Sequence, residues 1–343
     1  MPAWLARLAP IVSLALFAPW VAEYLVGSHT VVDLPLIVFL VPLYGGGALL
    51  VRELARRTGR GWPTILLLGL AYGVIEAGLI DQSLFNPSYQ GQDFQSIAHV
   101  PGLSMSAFWG MVFIAGHAIW SIGAPIAFVE SFLGARRHAP WTNGFGLALV
   151  ALLYLLGCWL VFADLRSTEG FQASPLQLGA AAVTAVALIV AAFAVQRRAA
   201  PVRVTPSRLV AAPHATGRLW PPHWGVVLGL SFVASLVLWI PGTWLGVACS
   251  AVLLGGATVL ALRWSRSRRW SPVHVLAIAD GALLTYAVNG FNLHPWRRLP
   301  HRAEVLSDVT FAVVTVALVA LSLWWQRRRW QRMTAARSLH GLG

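Results

Sequence analysis

The sequence predicts an all-α, polytopic transmembrane helical bundle with about ten membrane-spanning helices and both termini in the cytoplasm. Of its 343 residues, 57% are hydrophobic and only 11% are charged, so lipid must solvate most of the chain. The arginines lie in short clusters in alternate connections between long apolar stretches, as the orientation rule for membrane proteins requires. The predicted location is therefore the plasma membrane, with the lipid bilayer as the main partner.

Ten apolar stretches are long enough to cross about 30 Å of hydrocarbon at a rise of about 1.5 Å per residue. They cover approximately residues 8–26, 34–51, 62–80, 105–133, 143–163, 175–195, 223–240, 243–262, 271–289 and 305–326. Most connections between them are short, so consecutive helices are expected to pack antiparallel.

A connection rich in proline and arginine divides the chain into two predicted halves. The predicted parts are a six-helix half with a polar, outward-facing cavity (1–195), a cytoplasmic connection (196–222), a four-helix half (223–326) and a basic cytoplasmic tail (327–343).

The distribution of basic residues fixes the predicted orientation. With the N-terminus inside, the cytoplasmic segments hold every arginine except Arg166, Arg297, Arg298 and Arg302. The net charge of +13 by itself suggests nucleic-acid binding. The basic residues do not form one polar face that follows phosphates, however, so no nucleic-acid partner is expected.

Ionisable residues at membrane depth are expensive and therefore informative. Glu76 shares a helix face with Gly69, Tyr72 and Gly73, a stripe of small residues that lets another helix approach closely. This face points into protein, where the Glu76 carboxylate can serve as a general acid and base or as a structural hydrogen-bonding group.

His117 lies near the middle of the next helix along the chain and can meet Glu76 there. An intramembrane histidine is either a buried hydrogen-bonding residue or, when paired with a carboxylate, a catalytic partner. The candidate catalytic residues are Glu76 and His117. The candidate substrate-binding residues around them are Glu23, Asp81, Asn86, Tyr72 and Ser121.

Two further segments flank this predicted site. The connection 81–104 contains no arginine and is rich in Asn, Gln, Ser, Gly and aromatic residues, so we expect it to fold over the outer ends of helices 3 and 4 as a lid or binding loop. The sequence Tyr44-Gly45-Gly46-Gly47 indicates either a very close helix contact, which is the default, or an unwound stretch that lines a cavity.

His301, Glu304 and Asp308 are spaced so that they share one helix face, which is compatible with a divalent metal site. Capping of the helix N-terminus is the favoured interpretation. Asp280 and Asn289 lie about 180° apart around one helix and cannot serve one site unless that helix is broken. Nothing in the sequence requires a metal or an organic cofactor, and the cofactor is left open.

The stretch GVIEAG (73–78), followed one helix later by FIAGH (113–117), resembles the CPBP family, which includes CAAX-type intramembrane proteases and bacteriocin-processing and abortive-infection proteins. The resemblance covers two helices of ten. It implies that Glu76 activates a water molecule and that His117 helps to hold this water or the developing oxyanion. Ala77 stands where that family has a second Glu, Asp81 stands about where it has an Arg, and helices 5 and 6 contain no third motif.

Three function classes fit the sequence. The first is an intramembrane hydrolase that acts on a small molecule, a lipid or a peptide at a Glu76–His117 site. The second is an ion- or proton-coupled transporter of a small solute, in which the same carboxylates bind the coupling ion. The third is a non-catalytic membrane subunit.

Overall fold

A computed structural model describes residues 3–195, 219–239, 242–297 and 299–340. Most of the predicted connection 196–222 and the last residues of the predicted tail lie outside these ranges. The described residues form twelve α-helical elements: α1 (Ala3–Pro19), α2 (Ile37–Leu40), α3 (Gly46–Arg57), α4 (Trp62–Ile75), α5 (Ala107–Gly116), α6 (Ala124–Ser131), α7 (Gly144–Glu169), α8 (Pro175–Ala194), α9 (Trp224–Val237), α10 (Trp244–Trp264), α11 (Pro272–Asn289) and α12 (His301–His340).

Four π-helical segments continue or interrupt these elements, and the only strands in the described residues form one small hairpin. The π-helical segments are π1 (Trp20–Leu25), π2 (Val41–Gly45), π3 (Glu76–Ile80) and π4 (His117–Gly123). The strands β1 (His99–Val100) and β2 (Met105–Ser106) pair antiparallel. Short 3-10 helices lie at Val31–Leu36, Tyr89–Gly91, Gly134–His138 and Gly290–Asn292.

These elements join into nine helices that are long and apolar enough to cross a membrane, counted over the described residues. α9 is apolar as well but is shorter, with 14 residues. The predicted all-α, multi-pass bundle of about ten helices is confirmed. α12 begins earlier and ends later than the predicted helix 305–326, because the basic residues that follow 326 continue the helix instead of ending it.

The centre of the bundle is formed by α4, by the long helix that comprises α5, π4 and α6, and by α11. The apolar stretches of all three are mostly buried inside the protein. α7, α8 and α10 are mostly exposed, as expected of helices that face lipid. α11 packs against α6, α9 and α12, and its far end reaches π1 and π4. The polar residues of α11 are therefore shielded from lipid by its neighbours.

Close backbone contact holds the second spanning helix in place. A Cβ atom at Gly45 would overlap the carbonyl oxygen of Ala15 in α1, and one at Gly47 would overlap the ring of Tyr72. The glycine run therefore forms the close helix contact that was the default interpretation. The segment is not unwound, although its first part is π-helical.

A buried ionic cluster closes the end of the bundle where α3 and α6 finish, and we call this the basic end. The Glu130 carboxylate accepts hydrogen bonds from Arg52 Nε at 3.1 Å and from Arg56 Nε at 2.9 Å and Nη2 at 2.6 Å. Arg52 also bonds Glu53, and its guanidinium lies 3.5 Å from the ring centroid of Trp141.

Sequence reasoning treated Arg52 and Arg56 as ordinary cytoplasmic loop charges, and that was wrong. α3 continues to Arg57 instead of ending near residue 51, and both guanidinium groups are buried. The reason is the ion pairing with Glu130 and Glu53, which lets the helix carry charges into the protein interior.

Candidate functional site

Four polar side chains from four different helices contact one another in a chain, through hydrogen bonds of Tyr44 and a close approach of Glu76 to His117, and we call Glu23, Tyr44, Glu76 and His117 the Glu–His cluster. The Glu76 Oε2 atom lies 2.8 Å from His117 Nε2. The Tyr44 hydroxyl lies 3.1 Å from Glu76 Oε1 and makes a short hydrogen bond to Glu23 Oε1. The structure thus brings together the two candidate catalytic residues and one candidate substrate-binding residue, and it adds Tyr44.

Each member of the cluster lies on a π-helical segment, namely Glu23 on π1, Tyr44 on π2, Glu76 on π3 and His117 on π4. A π-helical segment holds an extra residue within a helix, which changes the direction of the side chains that follow, and such segments are frequent at functional sites. Pro19 and Pro42 lie at two of these places, and a proline lacks the N–H that regular α-helical bonding requires.

The contacts fix how many protons the cluster must hold. His117 Nδ1 lies 2.6 Å from the carbonyl oxygen of Phe113, which can only accept, so Nδ1 carries a proton. The contact between Glu76 and His117 Nε2 needs one more proton. Tyr44 has a single hydroxyl proton but touches two carboxylates, so one of these contacts needs a proton on a carboxyl group.

With one proton in each of these contacts, the cluster carries no net charge. Two ionised glutamates beside a neutral tyrosine and a neutral histidine would carry a charge of −2. The protons in these contacts number two more than in that state, and they cancel this charge. Neutrality accounts for its burial, because an unpaired charge in a medium of low dielectric constant costs several kcal/mol.

Aromatic rings surround the cluster. The Tyr44 ring stacks on the His117 ring at 6.1 Å between centroids, and the Tyr72 ring lies 5.8 Å from His117. Among the described residues, the buried Tyr72 hydroxyl has no hydrogen-bond partner. An O–H group beside an acid–base pair with no partner of its own is free to donate to a bound group.

The cluster is buried but not sealed. The Glu76 side chain is 4% exposed, whereas the His117 and Glu23 side chains are 15% and 17% exposed. His29 Nε2 lies 3.9 Å from Glu23 Oε2 at the more exposed side. A ligand that reaches the cluster therefore meets Glu23 or His117 before Glu76.

A model of an uncharacterized membrane protein family matches residues 12–339, a range that extends from α1 to α12. The chain belongs to this family. No curated protein and no solved structure matches it significantly. These comparisons identify a multi-pass membrane protein, assign no activity, and give no evidence of a relation to the CPBP family.

Asp81 follows π3 directly and belongs to the surroundings of the cluster. Burial and the nearby Glu76 carboxylate raise the pKa of the Asp81 carboxyl well above its usual range. The Asp81 side chain accepts a hydrogen bond from the backbone N–H of Ser83 at 2.9 Å and interacts with the Tyr89 hydroxyl. Asp81 thus links the Glu–His cluster to the connection 81–104.

Asn86 lies in the connection 81–104 and bonds away from the cluster. Its side-chain amide donates to the Glu169 carboxylate at the end of α7, which also accepts the backbone N–H of Gln90 at 2.8 Å. Further along, the Gln177 side chain of α8 donates to the carbonyl oxygen of Leu103 at 2.7 Å. These bonds hold the connection against α7 and α8.

Replacing Glu169 by alanine is expected to release this connection, because two charge-assisted hydrogen bonds of about 1.5–3 kcal/mol each are lost. Amide hydrogen exchange should become faster in residues 81–104 while α4 stays protected. Asp164→Asn, which changes an exposed carboxylate of the same helix, is the control and should leave the exchange unchanged. Equal exchange in the wild type and Glu169→Ala would show that Glu169 does not hold the loop.

The remaining candidates lie elsewhere. Ser121 is buried in π4, one turn beyond His117. Glu304 accepts the backbone N–H of Leu299, two residues before α12 begins, at 3.1 Å. In the part of the chain that the structure describes, no group of three or more His, Cys, Asp or Glu residues is arranged to hold a metal ion.

Sequence reasoning missed Tyr44 as a member of the site. In the sequence, Tyr44 stands out only as the residue that precedes three glycines. The available signal was Pro42, which together with the glycines indicates a helix that departs from regular α geometry and so redirects its side chains.

Proposed function

We propose that the chain is an intramembrane enzyme of the hydrolase type, with Glu76 as general base and His117 as general acid. The observation that carries this proposal is the 2.8 Å contact between Glu76 Oε2 and His117 Nε2. A base and an acid this close lie within reach of one water molecule and of the bond that it attacks. The resemblance of residues 73–78 and 113–117 to the CPBP family supports the role of Glu76, whereas for His117 it implies help in holding the water or the developing oxyanion.

The reaction follows from the protons that the cluster holds. Glu76 takes a proton from a water molecule as its oxygen bonds to the carbonyl carbon of an amide or ester. His117 Nε2 gives its proton to the leaving nitrogen or oxygen as the old bond breaks. The proton on Glu76 then passes directly to His117 across their contact, which restores the starting state.

The Tyr72 hydroxyl is placed to stabilise the intermediate. It is buried beside His117 and without a partner among the described residues, so it can donate to the oxyanion that forms on the substrate carbonyl. Tyr44 holds Glu76 in place from the other side. We assign Tyr72 to substrate binding and Tyr44 to positioning of the base.

A membrane-borne substrate, a lipid or a peptide, fits a site inside a bundle whose outer helices face lipid. An apolar groove of about 680 Å³ lies on the outside of α1, α6 and α12, but none of its lining residues belongs to the Glu–His cluster. With the basic end in the cytoplasm, as the arginine distribution predicts, the Glu–His cluster lies in the outer half of the membrane.

The test is cleavage of a peptide and lipid library by protein in reconstituted vesicles. Glu76→Gln and His117→Ala are each expected to lower the rate by about 10²–10⁴-fold, because each removes a proton-transfer group. Asp308→Asn is the matched control and should retain the wild-type rate. Circular dichroism should show that all three variants keep their helices.

Failure of the site assignment has a clear signature. If Glu76→Gln cleaves as fast as Asp308→Asn, Glu76 is not the base. If the wild type cleaves nothing in the library but acidifies its vesicles together with solute uptake, the hydrolase proposal is wrong and the second candidate below replaces it.

The second candidate is proton-coupled transport of a small solute. It is favoured by the contact of two carboxyl groups, a phenol and an imidazole inside the bundle, since such a set can bind and release protons. In that case Glu76→Gln abolishes the dependence of solute flux on the proton gradient, and no substrate is cleaved.

A further inference from the structure

A second buried carboxyl group lies in the half of the bundle nearer the basic end. Asp280 is in α11 and has no exposed surface. Its Oδ2 atom accepts a hydrogen bond from the Ser322 hydroxyl of α12 at 3.2 Å. Its Oδ1 atom has no hydrogen-bond partner among the described residues.

Polar side chains continue from Asp280 toward the basic end. Gln326 follows Ser322 by one helical turn and donates from Nε2 to the carbonyl oxygen of Ser131 at 2.7 Å. The Ser131 hydroxyl is buried and, like Asp280 Oδ1, has no partner in the described part of the chain. We call Asp280, Ser322, Gln326 and Ser131 the inner polar strip.

The strip ends at the ionic cluster. Ser131 directly follows Glu130, whose carboxylate is paired with Arg52 and Arg56. The strip therefore places hydroxyl and amide groups between a fully buried carboxyl group and the charged end of the bundle, although its members do not form one continuous chain of hydrogen bonds. Apolar side chains would suffice for packing alone at these positions, and each unpartnered oxygen costs about 1–3 kcal/mol.

Among the side chains that the structure describes, no charged or titratable group on the elements around α11 pairs with Asp280. The described part of α9 between Trp224 and Val237 carries none. The others are His274 at the start of α11, Tyr286 near its end, Glu130 on α6, Glu23 and Tyr24 on π1, His117 on π4, and His301, Arg302, Glu304, Asp308 and Arg327–Arg329 on α12. None of them makes a hydrogen bond or ion pair with Asp280.

We propose that Asp280 is a proton-binding site that exchanges protons with the basic end along the inner polar strip. An ionised carboxylate without a cation costs several kcal/mol at this depth, and a bound proton removes that cost. Ser322 then accepts from the carboxyl or donates to it, and the free hydroxyl of Ser131 offers the next position for the proton. This site is separate from the Glu–His cluster and does not depend on the proposed hydrolase activity.

The test is modification by a lipid-soluble carbodiimide, which reacts with protonated carboxyl groups in apolar surroundings. Purified protein in vesicles is labelled over a range of pH values, and the modified peptide is identified by mass spectrometry. Labelling at Asp280 is expected at low pH and should fall about tenfold for each pH unit above the midpoint. Asp280→Asn, a near-isosteric change, should remove this label and no other.

Gln326→Leu and Ser131→Ala interrupt the strip. After a pH jump on the side of the vesicle that the basic end of the protein faces, both variants should slow the change in labelling of Asp280. Their matched control is Ser307→Ala, a buried serine in the opposite half of α12. No label at Asp280 at any pH, or a label that does not change with pH, would overturn the proposal. Loss of the label on adding sodium at constant pH would also overturn it, because the site would then bind a metal cation.

Discussion

Glu130→Ala is expected to lower the free energy of unfolding by about 3–5 kcal/mol, the cost of breaking a buried ion pair by removing one partner. The Glu130 carboxylate pairs with two buried guanidinium groups at once, those of Arg52 and Arg56. Without it, Glu53 is left as the nearest counter-charge for Arg52, and Arg56 loses all of its carboxylate bonds.

Unfolding of the purified protein by increasing fractions of dodecyl sulfate, followed by circular dichroism, measures this effect. Asp164→Asn removes an exposed carboxylate and serves as the control, which should unfold like the wild type. Glu130→Gln should fall between the two, because the amide oxygen still accepts one hydrogen bond. Wild-type stability of Glu130→Ala would mean that water or lipid headgroups solvate the two arginines.

Gly45→Ala is expected to destabilise the bundle by about 3 kcal/mol, at the upper end of the usual cost of overpacking. The added Cβ atom would overlap the carbonyl oxygen of Ala15, and backbone atoms cannot move aside as a flexible side chain can. The shift of π2 also moves Tyr44 away from Glu76, so the rate of any reaction at the Glu–His cluster should fall as well.

Gly179→Ala is the matched control, because its Cβ atom would have nothing within 4 Å. In a helix interior this change is expected to stabilise by about 1 kcal/mol through helix propensity. The same unfolding assay compares the two variants. If both change stability equally, the contact between π2 and α1 is not as close as described.

The membrane architecture follows from the sequence because its cause is local. A helix of apolar residues satisfies its own backbone and needs only lipid around it, so hydropathy and arginine placement predict the spans without knowledge of the packing. The proximity of Glu76 and His117 was also within reach, since both lie at depth on consecutive helices and a buried carboxylate needs a partner.

The remaining features depend on contacts between distant segments. Arg52 looks like a loop charge until Glu130, far along the chain, is placed beside it. Tyr44 joins the site only because π2 turns it toward Glu76. Pro42 indicates that the helix departs from regular α geometry, but residue type alone does not predict that the departure is π-helical or which way it turns Tyr44.

A π-helical segment can also change its register while the ends of its helix stay fixed. Each segment holds one surplus residue, and moving that surplus along the helix rotates the intervening side chains by about 100°. Such a register shift in π3 alone would swing Glu76 out of contact with Tyr44 and His117. Admission of water to the Glu–His cluster would then be a local rearrangement of one helix, with no rigid-body movement of the bundle.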